Sequence, residues 1–154
     1  MLDFDFLLKH NELCLVGRGP VLHHGLGEAG LYARDTRFLS ACSVTLDDEP
    51  LELLDLQTPA PNIALIAIAN LPANQDGAGR WSRSMLIQQE IVLATDLVMT
   101  LTIRSYHTET VTTRLDVRLA ADFRDMFDLR GFAFCTRPAV QPAVVRDHGV
   151  LVSA

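Results

Sequence analysis

The chain has 154 residues, of which 49% are hydrophobic and 21% charged. That is the balance of a folded domain and excludes long disorder. Nineteen acidic residues against 13 Lys plus Arg give a net charge of -6, which disfavours nonspecific binding to nucleic acid or to an anionic membrane.

The length suits one domain spanning residues 1–154, burying roughly 70% of its unfolded surface. Lys9 is the single lysine, so almost every cation is an arginine, the residue suited to planar, bidentate partners. Cys14, Cys42 and Cys135 are far apart, odd in number and in no CxxC or Cys/His ligand spacing. Reduced thiols and a cytoplasmic protein are expected. The acidic start, Met1 to Phe6, is no signal peptide, and no apolar run reaches the length of a membrane span.

The dominant period along the chain is two. Short strands are expected at residues 12–16 and 21–23, flanking Gly17, Gly19 and Pro20. Residues 30–40 (GLYARDTRFLS) concentrate Tyr32, Arg34, Asp35, Thr36 and Arg37 just ahead of an apolar strand. Cys42, Val44 and Leu46 alternate with Ser43 and Thr45, and Asp47 to Pro50 turns the chain. Residues 55–62, with Pro59 and Pro61, read as a loop. Residues 63–69 and 87–93 read as central strands, the first as an unbroken apolar run. A long loop with Pro72, Asn74, Gly77 and Gly79 fills residues 71–82.

Residues 97–106 and 111–121 alternate again, as half-buried strands. A single helical turn fits 123–129, and residues 142–152 read as a hairpin about Asp147-His148-Gly149. Roughly ten short strands with turn signals between them predict an all-β fold, an antiparallel sandwich. The last apolar strand runs to Ala154 with no polar tail. A truncated domain, the N-terminal fragment of a longer protein, is therefore expected, with an open sheet edge able to pair into a homodimer.

The run 30–40 has two readings. One is a rigid, hydrogen-bonded loop that sets the entry to the next strand, with Thr36 capping a turn and Tyr32 and Phe38 anchored in the core. The other is a polar surface that touches a sugar or a neighbouring domain. Residues 120–131 (AADFRDMFDLRG) place Asp122, Asp125 and Asp128 among Arg124 and Arg130. A turn could bring Asp122 and Asp125 together as paired carboxylates for general acid–base work. The interleaved arginines would keep both ionised, which a general acid cannot tolerate, so a salt-linked corner is the preferred reading.

Adjacent His23 and His24 would point to opposite faces of a strand, and His10, His107 and His148 are scattered, so no metal site is expected. Residues 25–30 spell GxGxxG outside any βαβ context, so no nucleotide cofactor is expected. No serine lies in a nucleophile-elbow motif. Trp81, beside Arg80 and Arg83, either plugs the sandwich rim or stacks on a sugar.

The runs 30–40 and 120–131 together resemble the N-terminal domain of bacterial glycogen debranching enzymes of the amylo-α-1,6-glucosidase type. Between them the order of features also matches: LELLDLQ at 51–57, an apolar strand at 63–70, a Pro/Gly loop, paired strands at 86–106 and the VRLAADF strand that leads into the second run. The resemblance covers the chain from about Phe6 onward. It implies a supersandwich-like β-domain that precedes an α-helical toroid carrying the hydrolytic carboxylates. This chain holds no such toroid, so no catalytic residue is carried over and the chain alone is expected to be inactive. The implied partner is that C-terminal α-helical catalytic domain, with an α-glucan as a second partner. Tyr32, Arg34, Asp35, Thr36, Arg37, Trp81, Asp122, Arg124 and Asp125 are the candidates for substrate or interface contact. The alternative is a stand-alone carbohydrate-binding module for α-glucans.

Overall fold

The computed structural model describes residues 5–18, 27–49, 51–71, 83–132, 144–146 and 149–151. Every strand pairing among them is antiparallel. Strands β1 (Phe6–His10), β2 (Leu13–Gly17), β3 (Gly30–Ala33), β4 (Thr36–Leu39) and β11 (Arg124–Asp125) form one sheet in the order β1-β2-β3-β4-β11. A second sheet is a plain meander of β6 (Leu51–Ala60), β7 (Ile63–Asn70), β8 (Met85–Leu93) and β9 (Leu97–Ser105). Strand β5 (Ala41–Leu46) pairs with β10 (Leu115–Ala120), and β12 (Val144–Arg146) with β13 (Gly149–Leu151). The one helical turn, α1 (Met126–Leu129), follows β11 directly.

The core comes from alternate positions of strands in different sheets. Phe6, Leu8 and Leu15 meet Cys42, Val44 and Leu46, and all pack on Ala64, Ile66, Ile68, Ile87, Ile91 and Leu93. Strands β7 and β8 occupy the middle of their sheet and bury the most; β7 is apolar from Ile63 to Ala69, whereas β8 is not a continuous apolar run but alternates, burying Met85, Ile87, Ile91 and Leu93 and exposing Gln88 and Glu90. Each fully buried Leu or Ile contributes about 1.5–3 kcal/mol relative to exposure. The layers are also stitched by backbone bonds, from Lys9 N–H to the Pro61 carbonyl at 2.7 Å and from Leu93 N–H to the Asn62 carbonyl at 2.8 Å.

The antiparallel all-β class, the central strands, the terminal hairpin and the single helical turn stand as expected. Three local expectations need correction. Residues 55–60 are strand, not loop: β6 lies at a sheet edge, where Pro59 takes no donor from the ladder, and the register shifts between Gln57 and Ala60. Residues 30–40 are a hairpin, not a loop, with Arg34 and Asp35 as its two-residue turn. Pairing of β10 begins only at Leu115 because Asp47 captures the preceding residues. Its carboxylate accepts from the Thr113 hydroxyl at 2.5 Å and the Arg114 N–H at 3.0 Å. The stretches 21–23 and 72–82 lie outside the described residues.

Candidate functional site: an arginine-clamped corner

The two polar runs of the sequence fold into one place. Strands β4 and β5 are consecutive, as are β10 and β11, and the two pairs run against each other as a single antiparallel ribbon. Ala41 lies opposite Ala120, and beyond the bend Arg37 lies opposite Arg124, so the register carries on unbroken across 38–40 and 121–123. One backbone bond spans the bend, Ser40 N–H to the Ala120 carbonyl at 2.8 Å. Phe123 turns the corner with a left-handed φ of 51°. Its ring meets Phe38 edge-on, centroids 5.7 Å apart, a favourable aromatic geometry.

Arg37 is the centre of the corner and is 1% exposed. Its Nε donates to Asp122 Oδ1 at 3.1 Å while the Nη2 group donates to Oδ2, a two-pronged pair. Its Nη1 group donates to the carbonyls of Gly27 and Ala29, each at 3.1 Å. A buried guanidinium is tolerable only when its donors are met in this way. Burial pushes its pKa down, but the hydrogen bonds and charge of Asp122 outweigh that and leave it above its ordinary value. Tyr32, buried beside it, donates its hydroxyl to the Glu28 carbonyl at 2.7 Å. Burial raises the phenol's pKa, against the opposing pull of Arg37.

Gly30 makes this packing feasible. It sits at φ 148°, and a Cβ there would lie 2.4 Å from the Leu39 carbonyl oxygen and 2.6 Å from Arg37 Cδ. No larger residue leaves room for the arginine stem. The neighbouring turn residues are strained in another way: Arg34 and Asp35 have φ of 46° and 67°, the signs of a type I′ hairpin turn without its usual glycine. The Asp35 carbonyl accepts the Met126 N–H at 2.8 Å, which docks α1 on the turn.

The remaining candidates each have a separate task. Arg34 is exposed and pairs with Glu12 at 2.7 Å. Thr36 lies opposite Asp125 in the β4–β11 ladder. Asp125 caps α1, accepting the Phe127 N–H at 2.7 Å. Arg124 holds Asp128 at 2.8 Å, and Arg130 reaches Glu28 at 3.0 Å. The salt-linked corner is therefore present, but Asp122 and Asp125 do not converge, because the ladder and the cap pull them to different partners. Thr36 is a ladder residue, not a turn cap, and Phe38 is 46% exposed, not anchored in the core. Trp81 lies outside the described residues, as do His23, His24, His148 and Cys135.

Around this polar frame the surface is apolar. Phe127 and Phe132 are 54% and 51% exposed and meet edge-on at 6.4 Å. A cavity of about 210 Å³ is lined by Leu7, Cys14, Val16, Glu28, Tyr32, Met126, Leu129 and Arg130. Sequence reasoning missed this cavity because its walls come from β1, β2, β3 and α1, distant in the chain. Among the described residues no group of three His, Cys, Asp or Glu side chains converges as a metal site would require. No helix among them is long and apolar enough to cross a membrane.

A search of curated proteins finds no match to this chain. The family model for the N-terminal domain of some glycogen debranching enzymes matches residues 8–154. That span contains both halves of the ribbon and the corner they make, and the chain belongs to this family of glycogen debranching enzyme N-terminal domains.

Proposed function

We propose that this domain is the noncatalytic partner of an α-helical catalytic domain C-terminal to it, in an enzyme of α-glucan breakdown, and that the clamped corner is the surface that packs on it. The observation that carries this reading is the pairing of a rigid frame with exposed aromatic rings. Arg37 and Asp122 hold the ribbon's bend, while Phe38, Phe127 and Phe132 lie open to solvent within one corner. Aromatic side chains on a preorganised support are the usual anchors of protein interfaces. The carboxylates of the corner support a noncatalytic role. Asp122 is held by Arg37, Asp125 by the helix cap and Asp128 by Arg124, so each carboxylate is already engaged in holding the corner.

The test uses the domain and the separately expressed catalytic part of the same protein. The domain alone should release no glucose from a limit dextrin, and the two parts should associate in titration calorimetry. Phe127→Ser combined with Phe132→Ser should weaken that association at least tenfold. Glucose release by the domain alone, or unchanged affinity in the double variant, would remove the proposal. A homodimer through the edge strand β10, with Val117 and Leu119 46% and 66% exposed, is the competing use of apolar surface. Sedimentation at several concentrations separates the two.

A further inference from the structure

Among the described residues the two edges of the β6–β9 sheet are finished differently. Edge strand β6 carries Pro59, the carboxylates of Glu52 and Asp55, and two register shifts, all devices that keep an edge from pairing further. Edge strand β9 has none of them. It runs nine residues against β8 without a shift, holds no proline, and has Arg104 as its single charge. The ladder fixes which groups of β9 are free. Tyr106 N–H donates to the Ser84 carbonyl at 2.8 Å, in the register that pairs Met85 with Ser105. Bonded pairs alternate in an antiparallel ladder, so Val98, Thr100, Thr102 and Arg104 spend their backbone groups on β8. Leu97, Met99, Leu101 and Ile103 turn theirs away from the sheet. The side chains of these same residues lie on the core side, where Ile103 is still 41% exposed.

The charges at the ends of β9 select what pairs with it. Asp96, one position before the strand, and Arg104, near its end, are both exposed, and neither makes an ion pair among the described residues. The arginines of β4, β10 and β11 all hold a carboxylate. A second copy laid antiparallel on β9, with Thr100 facing its own counterpart, sets Asp96 against Arg104 of the other copy at both ends of the pair. The same register sets Leu97 against Ile103 and Met99 against Leu101. All of these have outward backbone groups, so the bonding pattern and the apolar row are satisfied together. A slip of one residue opposes outward groups to spent ones, and a slip of two sets Arg104 against Val98 or Ala94. We propose that β9 is a self-recognition edge, through which two copies of this domain join into one continuous sheet about a two-fold axis. Strand β10 is the poorer edge for this, because it has six residues and its Arg118 is already held by Asp48. The pairing uses no residue of the clamped corner and stands apart from the reading of that surface.

The experiment is sedimentation of the intact 154-residue chain at several concentrations. A reversible dimer is expected. Asp96→Arg alone, or Arg104→Asp alone, places like charges across the pair and should weaken the dimer about tenfold. Asp96→Arg combined with Arg104→Asp restores opposite charges and should recover the wild-type affinity, a rescue that misfolding cannot produce. Both side chains are exposed, so the melting temperature should hold in every variant. A monomer at every concentration overturns the proposal and leaves the edge to a strand of a different protein. Single variants that dimerise as tightly as the wild type also overturn it, as does a double variant that stays weak. A dimer lost in Val117→Lys but indifferent to Asp96 and Arg104 belongs to β10 and overturns the placement. Association with the catalytic part is read through Phe127 and Phe132, so failure of one proposal leaves the other legible.

Discussion

Two tight turns in this domain are built alike and are supported differently. Arg34-Asp35 and Asp47-Asp48 both have positive φ at two non-glycine residues, and both are tied to a segment some 70–90 positions away in sequence. Near the first, the tie is Arg37 with Asp122, their side chains 2% and 27% exposed. At the second, Asp48 meets Arg114 and Arg118 with all three side chains more than half exposed. The charge chemistry is the same and the consequence is not. Water competes for every group at the second turn, so its pairs are worth little. At the first, removing one partner leaves a charge that solvent reaches poorly. One turn is an architectural lock and the other is solvated trim, a difference that residue types alone do not reveal.

The comparison is broken most directly at Arg37. Arg37→Met should destabilise the domain by about 3 kcal/mol, the lower end for a severed buried pair because Asp122 keeps some solvent access. Urea unfolding measures it, and a loss below about 1 kcal/mol would mean that the clamp is no lock. Gly30→Ala tests the same packing from the backbone side. With a new Cβ against the Leu39 carbonyl and the Arg37 stem, the expected loss is about 2 kcal/mol.

Cys42 offers a comparison by pH. Burial alone pushes its thiol from the ordinary 9.0 up to about 11. Because the folded value is raised, the stability it contributes is complete below pH 9 and is lost as pH rises toward 11, on the order of 2 kcal/mol. Tyr32 and Cys14 are raised in the same direction and add to the alkaline fall. Cys42→Ala should flatten that fall between pH 9 and 11, measured as melting temperature against pH. An unchanged slope would assign the alkaline loss to Tyr32 and Cys14.

The smallest effect belongs to the exposed turn. Asp48→Asn keeps a residue that tolerates the left-handed backbone and removes both ion pairs. The melting temperature should move by no more than roughly 2 °C. A larger drop that disappears in high salt would show that the two turns are more alike than their exposure implies.

Much of the architecture is legible without coordinates because strand periodicity is local. Alternation in 97–103 and continuous apolar character in 63–69 follow from which side chains must leave water. The polar runs 30–40 and 120–131 are likewise visible as unusual, and identify the family. Hidden from the sequence is which charge meets which. Asp122 and Asp125 have the same chemistry and near neighbours, yet one clamps Arg37 and the other caps α1. The open depression that Asp55, Gln57, Gln88, Glu90, Thr100 and Thr102 line on the β6–β9 sheet was hidden for a related reason. The polar positions of β8 and β9 alternate openly, but Asp55 and Gln57 look like loop beside Pro59 until an edge position makes that proline tolerable.

Local pattern determined the strands, the class and the family, because periodic burial and turn chemistry act over a few residues. Only the tertiary structure decided that Arg37 is buried, that its partner is Asp122, and that four strands align two polar rows into a cleft. Those outcomes depend on long-range register and on which groups lose solvent. Both are properties of the assembled ribbon and sheets, and no short segment contains them.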